Sequence, residues 1–302
     1  LIATVKPFSA QAVEEVIGVF NEAGYEVDVL SKYPDQSDLI AAVADAEALI
    51  IRSDKVDQEV LEAAKKLKIV VRAGAGYDNV DLETATKNGV VVMNTPGQNS
   101  NAVAELALGM MVFMNRTGFT PVAGTELRGK KLGIHAYGAV GRIVGMIAKG
   151  FGMKVYAYDP FVDPVHIKND GVVSEESAES LYSKCQYISL HIPVTAETRA
   201  SIGYDLLKSM PEGATLVNTA RKEVIDEEGI KQVFAERNDF RYISDIAPEC
   251  RDELEEKYAG RVFFTPKKMG AQTSEANLNA GVAAAKQIVN FMEQGDTTYK
   301  VN

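Results

Sequence analysis

The sequence predicts an α/β protein with two domains, each built around a parallel β-sheet. Two observations support this prediction. Short runs rich in β-branched and aromatic residues alternate with segments whose apolar residues recur at helical intervals, a pattern typical of parallel strands joined by crossover helices. In addition, a chain of 302 residues is longer than a single hydrophobic core usually supports, so two domains are expected.

The first domain is predicted to be discontinuous in sequence. Residues 10–23 and 58–65 have the apolar spacing of helices, and so does the Ala-rich segment 275–294, which is long enough to return to this domain. We therefore expect residues 1–96 and 271–302 to form one domain. Its predicted strands are residues 1–5, 26–30, 48–51, 69–72 and 90–93.

The second domain is predicted to comprise residues 97–270. It begins with a long helix, residues 99–116, that carries small and apolar residues on most faces, so we expect this helix to be buried against another domain or subunit. A second series of strands follows and predicts a doubly wound sheet. These strands are residues 131–135, 154–158, 187–191, 215–218, 242–245 and 262–264.

Composition and charge exclude several classes of protein. With 32 basic and 42 acidic residues the net charge is −10, which opposes binding to nucleic acid or to an anionic membrane surface. No apolar run approaches the roughly 20 residues of a membrane-spanning helix. The two cysteines are too few for a disulfide framework or a thiolate metal site and are typical of a reducing cytoplasm, which is the expected location. No metal site is expected.

A glycine-rich turn between a predicted strand and helix indicates dinucleotide binding. Residues 132–160 read LGIHAYGAVGRIVGMIAKGFGMKVYAYDP. Gly138 would let the backbone approach a pyrophosphate and Gly141 would let helix and strand pack closely, while Ala136 replaces the first glycine of the fingerprint. Asp159 follows Gly138 at the spacing of a ribose-binding carboxylate, which favours NAD over NADP. The other expected cofactor contacts in the turn are Tyr137, Ala139 and Val140.

Four ordered segments resemble the D-2-hydroxyacid dehydrogenases. They are the glycine-rich turn and residues 70–106, 190–203 and 216–230, of which the last two read LHIPVTAETRASIG and LVNTARKEVIDEEGI. The resemblance implies two Rossmann-like or flavodoxin-like domains, with residues 97–270 binding NAD and the discontinuous domain binding substrate. It also implies hydride transfer between NAD and the C2 carbon of a small anionic 2-hydroxy or 2-keto acid.

The resemblance assigns roles to individual residues. Arg221 matches the arginine that grips the substrate carboxylate and polarises the C2 oxygen, a task that suits a planar and permanently charged guanidinium. Asp245 matches the acid that holds the nicotinamide carboxamide. Further cofactor contacts are implied for His191, Pro193, Thr198, Thr219 and Ala220, and substrate contacts for Arg52, Ser53, Gly74, Ala75, Gly76 and Asn99.

The sequence departs from the family pattern at the acid–base group. The family places a histidine after Thr-Pro, whereas this chain has Lys267, followed by Lys268, in FFTPKKMGAQT. An unperturbed lysine has a pKa of about 10.4, so its ammonium is a ready proton donor for reduction, and we expect an alkaline optimum for oxidation. Either Lys267 or Lys268 could be the acid–base group, with Lys268 otherwise contacting substrate. Glu249 lies four residues after Asp245, where the family more often spaces its glutamate at five, and Cys250 occupies that fifth position.

The resemblance leaves the substrate open. The members most similar to the chain oxidise D-3-phosphoglycerate to 3-phosphohydroxypyruvate in serine biosynthesis, and Arg52 with the additional lysines favours such a doubly anionic substrate. The alternatives are a hydroxypyruvate, glyoxylate or D-lactate reductase, and a binding protein that senses NAD without turnover. The chain has no room for the C-terminal regulatory domain of longer members, so inhibition by serine is not expected. A homodimer is expected from family habit and from the apolar helix 99–116.

Overall fold

Two parallel sheets organise the computed structural model, which describes residues 1–302. Each sheet belongs to one compact unit. The first unit comprises Leu1–Asn99 with Gln272–Asn302, and the second comprises Ser100–Ala271. The sequence-based division placed the same two boundaries after residues 96 and 270. The predicted α/β class with two parallel sheets is confirmed.

The first unit contains a five-stranded sheet in the order β2-β1-β3-β4-β5. The central strands β3 (Ala48–Ile51) and β4 (Ile69–Arg72) are nearly continuous hydrophobic runs because helices cover both faces of the sheet. Both strands have the bounds that their sequence predicts. The other elements are β1 Ile2–Thr4, α1 Ala10–Glu22, β2 Val29–Ser31, α2 Gln36–Val43, α3 Gln58–Ala63, α4 Leu82–Lys87, β5 Val91–Asn94 and α12 Ser274–Gln294.

The second unit contains a seven-stranded sheet in the order β12-β11-β10-β9-β6-β7-β8. The direction of winding reverses between β6 and β9, and in such sheets ligands bind at the carboxyl ends of the strands beside this reversal. The elements are α5 Ser100–Asn115, β6 Lys131–His135, α6 Ala139–Gly150, β7 Lys154–Tyr158, α7 Pro164–Asn169, β8 Val173–Ser174, α8 Ala178–Lys184, β9 Tyr187–Leu190, α9 Tyr204–Ser209, β10 Thr215–Asn218, α10 Glu227–Glu236, β11 Arg241–Ser244, α11 Arg251–Lys257 and β12 Val262–Phe264.

Helix α5 is buried inside the second unit. Its residues Ala104, Leu108 and Met111 join the core beneath the sheet, together with Val144 of α6 and Ile134 of β6. This packing explains the apolar character of α5 without a second subunit, so the helix gives no support to the expected dimer. No helix of the structure has the length and apolar character needed to span a membrane.

Some elements differ from their predictions. Strand β2 was predicted at residues 26–30 but lies at Val29–Ser31, because an edge strand with an exposed face gives only a weak apolar pattern. Helix α2 was not predicted, although Asp35 and Asp38 form a capping box at its start.

Candidate active site

The turn between β6 and α6 has the geometry of an anion-binding turn. Gly138 precedes the first residue of α6, and no heavy atom lies within 4 Å of the position that a Cβ would take there. No side chain caps this helix, so the first-turn N–H groups of Ala139, Val140 and Gly141 are without intrahelical partners. Free N–H groups at the positive end of a helix dipole suit a phosphate.

Close approach within this turn explains Gly141. A Cβ at Gly141 would stand 2.4 Å from the backbone oxygen of Ala136 and 3.0 Å from Ile134 Cγ2. Ala136 itself has φ of +78°, in the left-handed region where the fingerprint normally has glycine. The turn therefore forms with alanine at this position, at the cost of backbone strain.

Asp159 lies just beyond β7 and is bonded to the turn. Its Oδ2 accepts the backbone N–H of Tyr137 at 2.7 Å and its Oδ1 accepts the N–H of Phe161 at 2.9 Å. The Tyr137 ring is buried, and its hydroxyl donates to Asp170 at 3.2 Å. Burial, with the nearby Asp170 charge, raises the pKa of Tyr137 to about 12. Only the backbone of Tyr137 is thus left for the cofactor contact expected of it.

Two histidines lie at the carboxyl ends of neighbouring strands and stay neutral. His135 Nδ1 lies 3.1 Å from the hydroxyl of buried Tyr182, and His191 Nε2 lies 2.9 Å from Ser189 Oγ. Burial lowers the pKa of His135 to about 4, and burial followed by the charge of His135 lowers the pKa of His191 to about 3. His191 Nδ1 also lies 3.4 Å from Thr219 Oγ1, so both ring nitrogens of His191 face hydroxyl groups.

The loop after His191 is closed by its own side chains. Thr198 Oγ1 donates to the carbonyl of Pro193 at 2.6 Å, and the N–H of Thr195 donates to the same hydroxyl at 2.8 Å. Pro193 and Thr198 are thus brought together, with the Thr198 hydroxyl engaged inside the loop.

Asn218 shapes the turn that carries Arg221. Its side-chain oxygen accepts the N–H of Ala220 at 2.9 Å, and its side-chain nitrogen donates to the carbonyl of Arg221 at 2.9 Å. Arg221 Nη1 donates to the carbonyl of Ala220 at 2.9 Å, which leaves the other guanidinium donors for a ligand. Asn218 is buried and was missed by the sequence-based reasoning, although it begins the NTAR segment.

Asp245 lies directly after β11 and holds the loop that carries both lysines. Its two carboxylate oxygens accept the backbone N–H groups of Met269 at 2.9 Å and Gly270 at 2.8 Å. Lys267 and Lys268 precede these residues. The contact with the nicotinamide carboxamide that was expected of Asp245 stays a prediction.

Glu249 does not pair with Lys267. Its carboxylate forms an ion pair with Lys222, which directly follows Arg221, and its backbone N–H donates to Glu227 at 2.7 Å. The Glu249 side chain is 77% exposed, so water screens this pair. The expected pairing of Glu249 with the acid–base lysine therefore has no contact in the structure to support it. Cys250 is held by Glu227 as well, through its backbone N–H at 2.9 Å.

In the first unit, the Gly74–Gly76 segment has the polarity of an anion site. The carbonyl of Gly74 accepts the N–H of Thr95 at 3.0 Å, and the carbonyl of Ala75 accepts from Asn94 Nδ2 at 2.6 Å. The backbone N–H groups of Gly74, Ala75 and Gly76 donate to no acceptor in the protein. Unbonded N–H groups in consecutive residues favour a carboxylate or phosphate.

Arg72 lies over this segment and was missed by the sequence-based reasoning. A Cβ at Gly74 would stand 1.7 Å from Arg72 Nη1, and Gly74 has φ of +149°. Arg72 Nε also donates to the carbonyl of Arg52 at 2.9 Å. The signal was present, since Arg72 ends a buried strand immediately before the glycines.

Arg52 is partly used by its own unit. Its Nη1 donates to the carbonyls of Lys6 at 2.8 Å and Pro7 at 3.0 Å, and its Nη2 donates to Asn277. Burial lowers the pKa of Arg52 from its usual value. Nε and one Nη2 hydrogen remain for a ligand. Ser53 is exposed, Asn99 is half-buried, and their expected substrate contacts stay predictions.

Comparisons with known proteins agree with this geometry. Residues 5–302 match the family described as D-isomer specific 2-hydroxyacid dehydrogenase, catalytic domain. The chain is 34% identical to D-3-phosphoglycerate dehydrogenase of Methanocaldococcus jannaschii over 91% of this chain and 55% of that protein. It is 34% identical to hydroxypyruvate reductase of Thermotoga maritima over 89% of this chain and 92% of that protein.

A solved structure is also similar. NAD⁺-bound 3-phosphoglycerate dehydrogenase of Entamoeba histolytica is 46% identical, with a TM-score of 0.90 over 100% of this chain and 98% of that chain. The chain spans about half the length of several phosphoglycerate dehydrogenases that it matches, 55% in the Methanocaldococcus case. The family match over residues 5–302 and the identity to full-length relatives place the chain in the D-isomer specific 2-hydroxyacid dehydrogenase family.

Proposed function

We propose that the chain is an NAD-dependent dehydrogenase that oxidises D-3-phosphoglycerate to 3-phosphohydroxypyruvate, as in serine biosynthesis. The observation that carries the proposal is the pairing of three unbonded N–H groups at Gly74–Gly76 with the Arg72 guanidinium above them. Together with the spare donors of Arg52, this arrangement suits a small molecule with two anionic groups. Ser53, Asn99 and Lys268 are the further substrate contacts that we propose.

The residues of the glycine-rich turn fit NAD. The open space at Gly138 leaves room for a pyrophosphate, which the N–H groups of Ala139, Val140 and Gly141 would bind. Asp159 would bind the adenosine ribose and would repel a 2′-phosphate. When bound, NAD would accept the hydride from the C2 carbon of the substrate. The NAD⁺-bound relative from Entamoeba histolytica supports this assignment.

Two residues of the second unit would act on the reacting carbon. Arg221 would bind the substrate carboxylate through two parallel hydrogen bonds and would polarise the C2 oxygen. Lys267 would take the C2 hydroxyl proton during oxidation and would return a proton during reduction. Lys268 is the alternative for this second role.

A second candidate function is the reduction of hydroxypyruvate. The relative from Thermotoga maritima that carries this name matches the chain over 92% of its own length, whereas the phosphoglycerate dehydrogenase from Methanocaldococcus jannaschii is matched over 55%. A lysine ammonium is protonated at neutral pH, which also suits the reductive direction. Glyoxylate and D-lactate chemistry remain possible on the same scaffold, as does an NAD sensor without turnover.

Absorbance of NADH distinguishes these functions. The purified chain would be assayed with 3-phosphoglycerate, D-glycerate and D-lactate in oxidation, and with hydroxypyruvate and glyoxylate in reduction. The proposal predicts the highest kcat/KM for 3-phosphoglycerate, and Arg72→Met should lower that value more than the value for D-glycerate. A higher kcat/KM for hydroxypyruvate than for 3-phosphoglycerate would reject the proposal in favour of the second candidate. NADH binding without turnover of any compound would favour the sensor.

The remaining parts of the proposal concern organisation. We propose that residues 1–96 with 271–302 bind substrate and that residues 97–270 bind NAD. We also propose a homodimer in the cytoplasm, which sedimentation equilibrium and fractionation of cells would test. A monomer at micromolar concentration would contradict the dimer.

A further inference from the structure

One buried carboxylate fastens both ends of the lysine loop, residues 265–270. Asp245 is 1% exposed. Its Oδ1 accepts the N–H of Met269 at 2.9 Å and lies 3.0 Å from Thr265 Oγ1, while its Oδ2 accepts the N–H of Gly270 at 2.8 Å. A buried charge needs such donors to offset its desolvation, and each of these bonds is strengthened by the charge.

The three donors bracket Lys267. Thr265 precedes it by two residues and Met269 follows it by two. Thr265 Oγ1 also lies 2.7 Å from the backbone carbonyl oxygen of Asp245 and 3.0 Å from the carbonyl oxygen of Lys267 itself. The backbone on either side of Lys267 is thus tied to one residue at the end of β11.

Gly270 permits this contact. A Cβ at Gly270 would stand 2.9 Å from Asp245 Oδ2 and 3.3 Å from Val103 Cγ2. Any larger residue would push the backbone N–H of residue 270 away from the carboxylate, because both neighbours are buried or confined by helix α5.

We propose that Asp245 is a positioning residue for Lys267, acting through Thr265 and the backbone of Met269 and Gly270. This inference rests on the proposed function, in which Lys267 is the acid–base group. Proton transfer needs the donor within hydrogen-bond reach of the C2 oxygen, and a displacement of about 1 Å can lower a rate by about 100-fold. Fixing the loop at both ends removes freedom that Lys267 would otherwise lose on reaching the productive position.

Thr265→Val isolates this role because it keeps the shape of the side chain and leaves the Asp245 carboxylate in place for any contact with the cofactor. We expect kcat for keto-acid reduction to fall by about 10-fold or more, while the Kd of NADH, measured by fluorescence, stays within about 2-fold. Thr265→Ser restores the hydroxyl and should restore kcat. Thr215→Val is the matched control, because the buried Thr215 hydroxyl has no hydrogen-bond partner, and this variant should leave kcat unchanged.

A double-mutant cycle decides whether the effect passes through Lys267. In a Lys267→Ala background, Thr265→Val should cause little further loss, since a displaced loop no longer carries the reacting group. Equal losses in both backgrounds, or a normal kcat in Thr265→Val, would overturn the inference. If Thr265→Val fails to fold, Gly270→Ala serves in its place, with the same expected fall and the same criterion. Full activity of Lys267→Ala would instead reject the proposed function, which separates the two failures.

Discussion

The backbone oxygen of Ala136 stands 2.4 Å from the position that a Cβ of Gly141 would occupy. This approach joins the end of β6 to the first turn of α6, where Gly138 and the free N–H groups form the candidate pyrophosphate site. The two residues make opposite demands on the chain. Gly141 must lack a side chain because of close contact, whereas Ala136 carries one in a conformation that favours glycine.

Gly141→Ala should weaken cofactor binding and lower stability. The added methyl group must displace backbone atoms of the turn, and overpacking of this kind typically costs about 1–3 kcal/mol. We expect the Kd of NADH to rise by about 10-fold, measured by fluorescence titration, with a lower midpoint of urea unfolding. Gly150→Ala is the control in the same helix, because nothing lies within 4 Å of its added Cβ. A Gly141→Ala protein that binds NADH normally would contradict the assignment of the turn.

Ala136→Gly should stabilise the protein. The left-handed conformation of Ala136 costs about 1 kcal/mol relative to glycine, and its relief should exceed the added entropy of the unfolded chain. Chemical denaturation should show a higher free energy of unfolding. Ala41→Gly, at an exposed position inside helix α2, should have the opposite sign, with a loss of about 1 kcal/mol. Destabilisation by both variants would show that strain at Ala136 is negligible.

Gly74→Ala should weaken binding of the anionic substrate. The new methyl group would overlap Arg72 Nη1, so the guanidinium must leave its place, and the φ of +149° disfavours any residue with a Cβ. We expect KM for the substrate to rise by about 10-fold with a smaller change in kcat, because the lost contacts bind ground state and transition state alike. In an Arg72→Met background the same substitution should change KM less. Gly18→Ala, in open space within α1, is the neutral control.

The sequence predicted the buried strands well and the exposed elements poorly. Strands β3, β4 and β10 have the predicted bounds, because strands covered on both faces are written as continuous hydrophobic runs. Strand β2 was misplaced because its side chains are largely exposed. Helices α7 and α9, of six residues each, are too short for an apolar period to repeat.

The candidate site was predicted residue by residue, but its internal bonding was not. Local motifs placed Arg221 and Asp245 at the carboxyl ends of strands, where the structure has them. The partners of Asp245 lie up to 25 positions away along the chain, and the pairing of Lys222 with Glu249 spans 27. Such contacts depend on which strands become neighbours, so spacing in the sequence could not reveal them.

Lys267→Ala should lower the rate in both directions by about 100-fold, the usual contribution of general acid–base catalysis. Lys268→Ala is the matched control and should retain most of the activity. Lys267→His should recover part of the loss and move the optimum for oxidation toward neutral pH, since imidazole loses its proton more readily than ammonium. Steady-state kinetics across pH 6–10 would test both points. Loss of activity in Lys268→Ala, with Lys267→Ala active, would move the acid–base role to Lys268.

The two buried histidines should make the protein less stable in acid. Both pKa values lie below the ordinary 6.5, at about 4 for His135 and about 3 for His191, so the unfolded chain binds more protons than the folded one. Their contribution is complete above pH 6.5 and is lost as the pH falls toward 4 and 3. We expect the free energy of unfolding to fall by on the order of 2 kcal/mol between pH 7 and pH 4.5. His135→Gln should make the dependence shallower in this window, and His166→Gln, at an exposed position, should not. Identical pH profiles for His135→Gln and the unmodified chain would show that His135 is not the source of the acid sensitivity.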